Sequence, residues 1–213
     1  MAIFKERVRT VQGSAGVKIG MELLYEENFV SALKKGAVII EMWDGPTGER
    51  LHYSEVTNLI VLDAGLVAAA LFKGDLTSGI SMLAMGTGAT GNLLSPDAPQ
   101  VGQRMLNNEI ARKAFSSTTY RTAEGVAVSY RTNIVDYTTT FGEGEAVGTL
   151  NEMALMVPYS TNPATKNPLD NGPSNYDASI DVEGFDLIVN YLTFAVISKP
   201  ATAVVQITWR LTH

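Results

Sequence analysis

The most constraining stretch of this chain is its end. Val205, Ile207, Trp209 and Leu211 alternate with Gln206, Thr208, Arg210 and Thr212. A period of two means a strand with one face in a core and one in water. Such a strand needs a sheet of like partners and a second layer over its apolar side. The rest of the chain supplies candidates. Ala37–Trp43 and Leu51–Tyr53 flank Asp44-Gly45-Pro46-Thr47-Gly48 and read as a β-hairpin. Ser116–Arg121 and Val126–Phe141 are rich in Thr, Ser, Tyr and Val, residues that suit a pleated, half-buried surface. In the latter, Val126, Val128, Tyr130 and Ile134 share one parity, and Val135, Tyr137 and Phe141 the other, so a bulge or a passage between sheets is expected near Asn133. Gly142-Glu143-Gly144-Glu145 is a turn, Thr149–Val157 a strand, and Leu187–Ile197 a nearly continuous apolar strand. The expected fold is mainly β: an antiparallel β-sandwich, jelly-roll-like.

One helix is expected inside it, over residues 58–73. Thr57 stands where an N-cap belongs and Gly74 where a left-handed terminating residue does. The segment is apolar nearly all round, which predicts burial on more than one side, and Gly65 at its middle suggests close approach by a strand. Leu23, Leu24, Phe29, Val30 and Leu33 are spaced for a second, short helix over 22–35, with Gly36 after it.

Ile80–Met85 is a buried-strand run that ends in Gly86-Thr87-Gly88-Ala89-Thr90-Gly91. These glycines satisfy G-x-G-x-x-G, but a dinucleotide turn needs a helix starting at the last one. Only Asn92-Leu93-Leu94 separate it from Ser95-Pro96, and Pro99 follows. The reading is a glycine-rich loop leaving a strand.

Chemistry-bearing residues are few. Glu109 and Glu152 each precede an apolar pair, and two carboxylates held ~5–9 Å apart can act as a glycosidase pair. The plainer expectation makes each a partly buried partner for an arginine such as Arg112, Arg131 or Arg210, or for backbone N–H groups. Asp177, Asp181, Glu183 and Asp186 resemble a Ca²⁺-ligand cluster in composition but lack EF-hand spacing, and a solvated face is expected. His52 and His213 are too remotely placed to build a nucleophilic triad. No catalytic, metal or cofactor site is expected.

With no cysteine, disulfides and thiolate sites are excluded. A net charge of −6 without a Lys/Arg cluster argues against nucleic acid as a partner. The longest apolar stretch, Leu59–Phe72, holds Asp63 and falls short of the ~20 residues a membrane helix needs. The N-terminus MAIFKERVRT carries charges where a signal peptide needs an apolar core, so synthesis in a cytoplasm is expected. The domain reading is an attachment or arm region over 1–36 and a sandwich over 37–213 with a long loop at 158–179. That loop carries Pro158, Pro163, Pro168 and Pro173 and is read as a candidate intersubunit arm.

The order of motifs resembles virion structural proteins of tailed bacteriophages, of the neck, collar and tail-accessory kind. The residues that carry it are Asn58 to Gly65, Met85-Gly86-Thr87-Gly88, Leu106 with Glu109-Ile110-Ala111-Arg112, Glu152 to Leu155, Phe194 to Lys199 and Thr208 to Leu211. The resemblance spans roughly Ala37 to His213. It implies a β-sandwich subunit in a symmetric homo-oligomer, trimer first and hexamer or dodecamer after it, contacting other virion proteins and located in the virion. No catalytic residue is carried over. Only 18% of residues are charged and 46% apolar, a balance suited to burying surface between copies. Two other readings are a capsid decoration protein and a carbohydrate-binding sandwich, the latter needing an aromatic platform from Trp43, Tyr53, Tyr159 and Tyr176. Among polar residues, Glu109, Arg112, Glu152 and Arg210 are expected to matter structurally.

Overall fold

The computed structural model describes residues 37–74, 79–158 and 186–212. Two antiparallel sheets stack face to face. The first has six strands in the order β2 (Arg50–Thr57), β1 (Ala37–Asp44), β13 (Ala203–Thr212), β10 (Ile134–Phe141), β8 (Ser117–Arg121) and β9 (Ala127–Val128). The second has five: β3 (Leu59–Ile60), β12 (Leu187–Lys199), β11 (Gly148–Val157), β4 (Met82–Gly86) and β7 (Glu109–Ala114). A small hairpin joins β5 (Gly91–Asn92) to β6 (Ser95–Pro96), and one helix, α1, spans Asp63–Lys73. The fold is the mainly β, antiparallel sandwich expected, and the chain crosses between the sheets after pairs of strands that are neighbours in one sheet, β1 with β2, β4 with β7, β8 with β10 and β11 with β12.

The alternation at the C-terminus marks the middle of the first sheet, where β13 lies between β1 and β10. Val205, Ile207, Trp209 and Leu211 meet Val38, Ile40 and Met42 of β1 and, across the sandwich, Leu83, Met85, Met153, Leu155, Leu192 and Phe194. Each large side chain so buried contributes ~1.5–3 kcal/mol of transfer free energy. The second sheet is buried on its other face too. Met82, Ala84, Ala154, Met156 and Tyr191 pack there with Val61 and Leu106, and Val67 of α1 with Val157, Leu187 and Val189. Two-sided burial is why β4 and β11 read as apolar runs rather than as alternation.

Four local expectations are corrected. The helix begins at Asp63, not at Asn58: Thr57 closes β2 opposite Ala37, and Leu59–Ile60 pair with Tyr191 and Asn190 of β12. Leu62 occupies the N-cap without a side-chain cap bond. The run was too short for its two strand residues to show a period of their own. The helix also buries one side only, through Asp63, Val67 and Ala70. Gly65 has no atom within 4 Å of where a Cβ would stand, so no strand approaches it among the described residues. Finally, the parity change near Asn133 is neither bulge nor crossing, because β9 and β10 lie in one sheet with residues 129–133 looping between them. Gly74 is left-handed at φ 87°, as expected, and its N–H donates to the Ala70 and Leu71 carbonyls.

The segments 1–36 and 159–185 lie outside the described residues, and with them Pro163, Pro168 and Pro173 of the arm expectation. No helix among the described residues is long and apolar enough to cross a membrane.

Candidate functional site

The outer face of the five-stranded sheet carries the densest polar arrangement, and Glu152 is its centre. In a regular strand, residues three apart point to opposite faces. Leu150 and Met153 nevertheless both enter the core between the sheets, because the β11–β12 ladder shifts register between Leu150 and Glu152. The bulge turns Asn151 and Glu152 outward together. There the loop of residues 87–108 covers them. Glu152 Oε1 accepts from the Gly88 and Asn108 N–H groups, each at 2.8 Å, and Oε2 accepts from the Asn107 N–H at 3.0 Å and the Tyr191 hydroxyl at 2.7 Å. Beside it, Asn151 Oδ1 accepts from the Ala89 N–H at 3.0 Å.

This explains two of the glycines. A Cβ on Gly86 would stand 2.5 Å from Glu152 Oε1 and 2.7 Å from the Asn108 carbonyl; one on Gly88 would overlap the Asn108 nitrogen and lie 2.7 Å from Oε1. The loop can descend onto the carboxylate only without side chains there. Gly91 is left-handed at φ 89° and starts the β5–β6 hairpin. The G-x-G-x-x-G run is thus a set of backbone donors around an anion, as in a phosphate loop, but the anion is the chain's own glutamate. Glu152 is fully buried, and burial together with its charge pushes the Tyr191 phenol upward, so Tyr191 stays protonated as a donor.

Glu109 and Arg112 sit nearby on β7. Three apart, they would face opposite ways, yet the β4–β7 ladder also shifts register between Met85 and Gly86, leaving Ile110 without a partner and setting both on the outer face. Arg112 meets Glu109 at 2.5 and 2.8 Å and Asp186 at 2.9 Å, with all three side chains nearly inaccessible. Glu109 and Glu152 are both register partners of Gly86, so they flank it on one sheet. Neither lines the shallow cleft of about 270 Å³ along β7, which is bordered by Ile110, Arg112, Lys113, Phe141 and Glu145. Each glutamate has the structural partner expected of it: backbone N–H groups for Glu152 and an arginine for Glu109.

Arg210 lies on the other outer face. It binds Asp136 of β10 through Nε at 2.7 Å and a terminal nitrogen at 2.9 Å, and Arg121 of β8 completes the bracket at 2.8 Å. Burial pushes the Asp136 carboxyl up, but the two guanidiniums outweigh it and hold the group below the usual carboxylate range. Sequence reasoning missed Asp136. The signal was its shared parity with Thr138 and Thr140 on an outward face, where a buried acid needs a base opposite.

A second missed pair roofs the second sheet. Asp63, in the first turn of α1, is buried against Arg104 of the covering loop at 3.1 Å, and burial raises its carboxyl to about 6 despite the arginine. At the far edge, Lys199 is buried and donates to the Gly142 and Ala203 carbonyls at 3.0 and 2.6 Å.

The aromatic platform is only partly placed. Trp43 and Tyr53 share the outward face of the six-stranded sheet, opposite Arg50 and Glu41, and the Arg50 guanidinium lies 5.6 Å from the Tyr53 ring centre. Tyr159, Tyr176, Asp177, Asp181, Glu183 and His213 lie outside the described residues. Asp186 serves Arg112, His52 bonds Ser54 at 2.9 Å, and Arg131 is exposed on the loop before β10. Among known proteins, no family model and no curated sequence matches this chain.

Proposed function

We propose that the protein is a non-enzymatic structural subunit that assembles with copies of itself in a tailed-phage virion, at the neck, collar or tail, where it contacts other virion proteins. The observation that carries this reading is the hairpin on the covering loop. Leu93 and Leu94, at its tip, are 61% and 77% exposed. Their support is stiff: the Leu93 carbonyl accepts from the Val196 N–H at 2.8 Å, the Asp97 carbonyl from Thr193 Oγ1 at 2.8 Å, and the loop behind is fastened to Glu152. An apolar knob already held in place loses little entropy when a partner covers it, which is what makes such a residue an anchor.

The polar residues support the same reading by what they are engaged in. Glu152, Glu109, Arg112 and Arg210 fasten loop to sheet and strand to strand, a use of charge that suits a rigid building block. The virion setting comes from the resemblance of the motifs between Ala37 and His213. A capsid-decorating subunit would use the same knob, and a map of the assembled particle separates the two positions.

Light scattering tests the assembly. The native chain is expected as a closed oligomer, trimer or larger, at micromolar concentration. Leu93→Asp with Leu94→Asp should reduce it to a folded monomer, whose melting temperature no longer depends on protein concentration. A native chain that runs as a monomer would sink the proposal.

A further inference from the structure

The hairpin knob and the shallow cleft lie at opposite ends of one row of residues across the five-stranded sheet. Glu109, Gly86, Glu152 and Thr193 are successive register partners on β7, β4, β11 and β12. At one end of the row, Thr193 Oγ1 donates to the Asp97 carbonyl at the foot of the hairpin. At the other, Ile110 follows Glu109 and forms a wall of the cleft. Three strand spacings separate the ends, about 14 Å. Knob and cleft therefore stand at one height along the strands, on opposite sides of the sheet.

The cleft has an apolar floor inside a charged rim. Ile110, Ala111, Phe141 and Ala146 line it, and Lys113 and Glu145 form an exposed ion pair at its edge. Arg112, which also borders it, is already held by Glu109 and Asp186. Val147 follows Ala146 at the rim and is 45% exposed, an apolar side chain left in water beside an apolar hollow. The volume of about 270 Å³ exceeds the ~150 Å³ of an apolar cavity that takes up benzene, so a leucine side chain has room there. The knob matches it in kind. Gly91 to Pro96 contains no charged residue, so burying the tip strands no ion away from water.

We infer that the cleft receives the Leu93–Leu94 knob of a second copy, so that each subunit gives a knob on one side and takes one on the other. This rests on the self-assembly proposed above and names the surface it uses. Such a contact is heterologous, joining two different patches, and only a closed ring leaves no knob and no cleft unfilled. The shared height suits closure: each copy is displaced sideways from the last rather than along the strands, so successive contacts turn about an axis without climbing. A partner of another kind would cover one of the two features and leave the other open on every copy. Lys113 and Glu145 then supply the polar border that keeps water from a buried anchor.

The chain has no cysteine, so thiols can be placed at chosen positions. Leu94→Cys with Val147→Cys should cross-link under mild oxidation into a ladder of covalent oligomers that stops at the subunit number given by light scattering. Either cysteine alone should form no bond. A covalent dimer from Leu94→Cys alone, knob against knob, overturns the inference, as does one from Val147→Cys alone. An oligomer in which the double variant stays unlinked also overturns it, yet leaves self-assembly standing. A native chain that scatters as a monomer removes both. Independently, Val147→Asp should weaken association at least tenfold with far-ultraviolet circular dichroism unchanged. An assembly as tight as the native one would overturn the inference without touching the reading it rests on.

Discussion

The two outer faces of this sandwich are built to opposite plans. The outer face of the six-stranded sheet is a ladder of short polar side chains, with Thr138 beside Thr208 at 3.4 Å and Gln206 bonded to Thr140 at 3.2 Å. Its buried acid, Asp136, is neutralised by two arginines from adjacent strands. The outer face of the five-stranded sheet joins an apolar layer to a buried polar cluster, and is roofed by the loop of residues 87–108 and by α1. Its buried acid, Glu152, is held mainly by the N–H groups of the roof itself. One face keeps its charge by pairing side chains that retain access to water; the other makes the carboxylate the fastening of a cover. The difference teaches where this fold is brittle: removing an acid from the open face loosens a pair, whereas removing one from the roofed face unfastens a layer.

The largest effect is therefore expected at Glu152. Glu152→Ala leaves three backbone N–H groups and the Tyr191 hydroxyl without their acceptor beneath the roof, and each such buried group costs ~1–3 kcal/mol. Relaxation of the loop recovers part of this, so a loss of about 4 kcal/mol is expected, with amide exchange fastest over residues 87–108. Thr208→Val on the open face should change stability by less than about 0.5 kcal/mol. Equal losses from the two variants in urea denaturation would erase the contrast.

How much of this contrast was legible depends on where the relevant partner sits. The open face could be read directly, because the alternation of Val205 to Thr212 is a property of one strand. The roofed face could be read only as apolar runs. Its key side chains are aimed by two bulges, which put Glu109 with Arg112 and Leu150 with Met153 on shared faces against the period of two. A bulge is defined by the neighbouring strand, so nothing local announces it. The glycine run was legible as a loop, but its anion lies 64 residues further along, at Glu152. Leu59 and Ile60 were absorbed into the helix because two strand residues inside an apolar run carry no period. Asp136 became meaningful only once β10 was registered against Arg210.

The two faces also titrate in opposite directions, and the roofed one gives the larger signal. Asp63 is buried against Arg104 of the covering loop, with its carboxyl raised to about 6. The folded chain thus binds a proton there more tightly than the unfolded chain, whose aspartate titrates near 4. That contribution to stability is present at low pH and is lost as pH rises from about 4 through 6. Lowering the pH from 7.5 to 5 should stabilise the native chain by about 1–2 kcal/mol from this group. Asp63→Asn should be at least as stable at pH 7.5 and should lose that slope. A native chain equally stable at both pH values, with Asp136 still charged throughout, would show that Arg104 compensates the burial fully.

Asp136 should show the reverse, and more weakly. Its folded carboxyl titrates below its unfolded value, so its contribution is complete above about pH 4 and is lost as pH falls through the folded value. Asn is nearly isosteric and leaves no cavity, so Asp136→Asn removes charge while keeping a hydrogen-bonding side chain. Arg121 and Arg210 are partly exposed and recover water when the charge goes, which limits the loss to about 1–2 kcal/mol at pH 7. Urea denaturation at pH 7 and at pH 2.5 reads this as a gap between variant and native chain that narrows on acidification. The same measurement on Asp63→Asn should move the other way, with the variant's relative stability falling as the native aspartate takes up its proton. If the Asp136→Asn gap stayed constant to pH 2.5, the arginines would be holding Asp136 by shape rather than by charge, and the open face would no longer differ in kind from the roofed one.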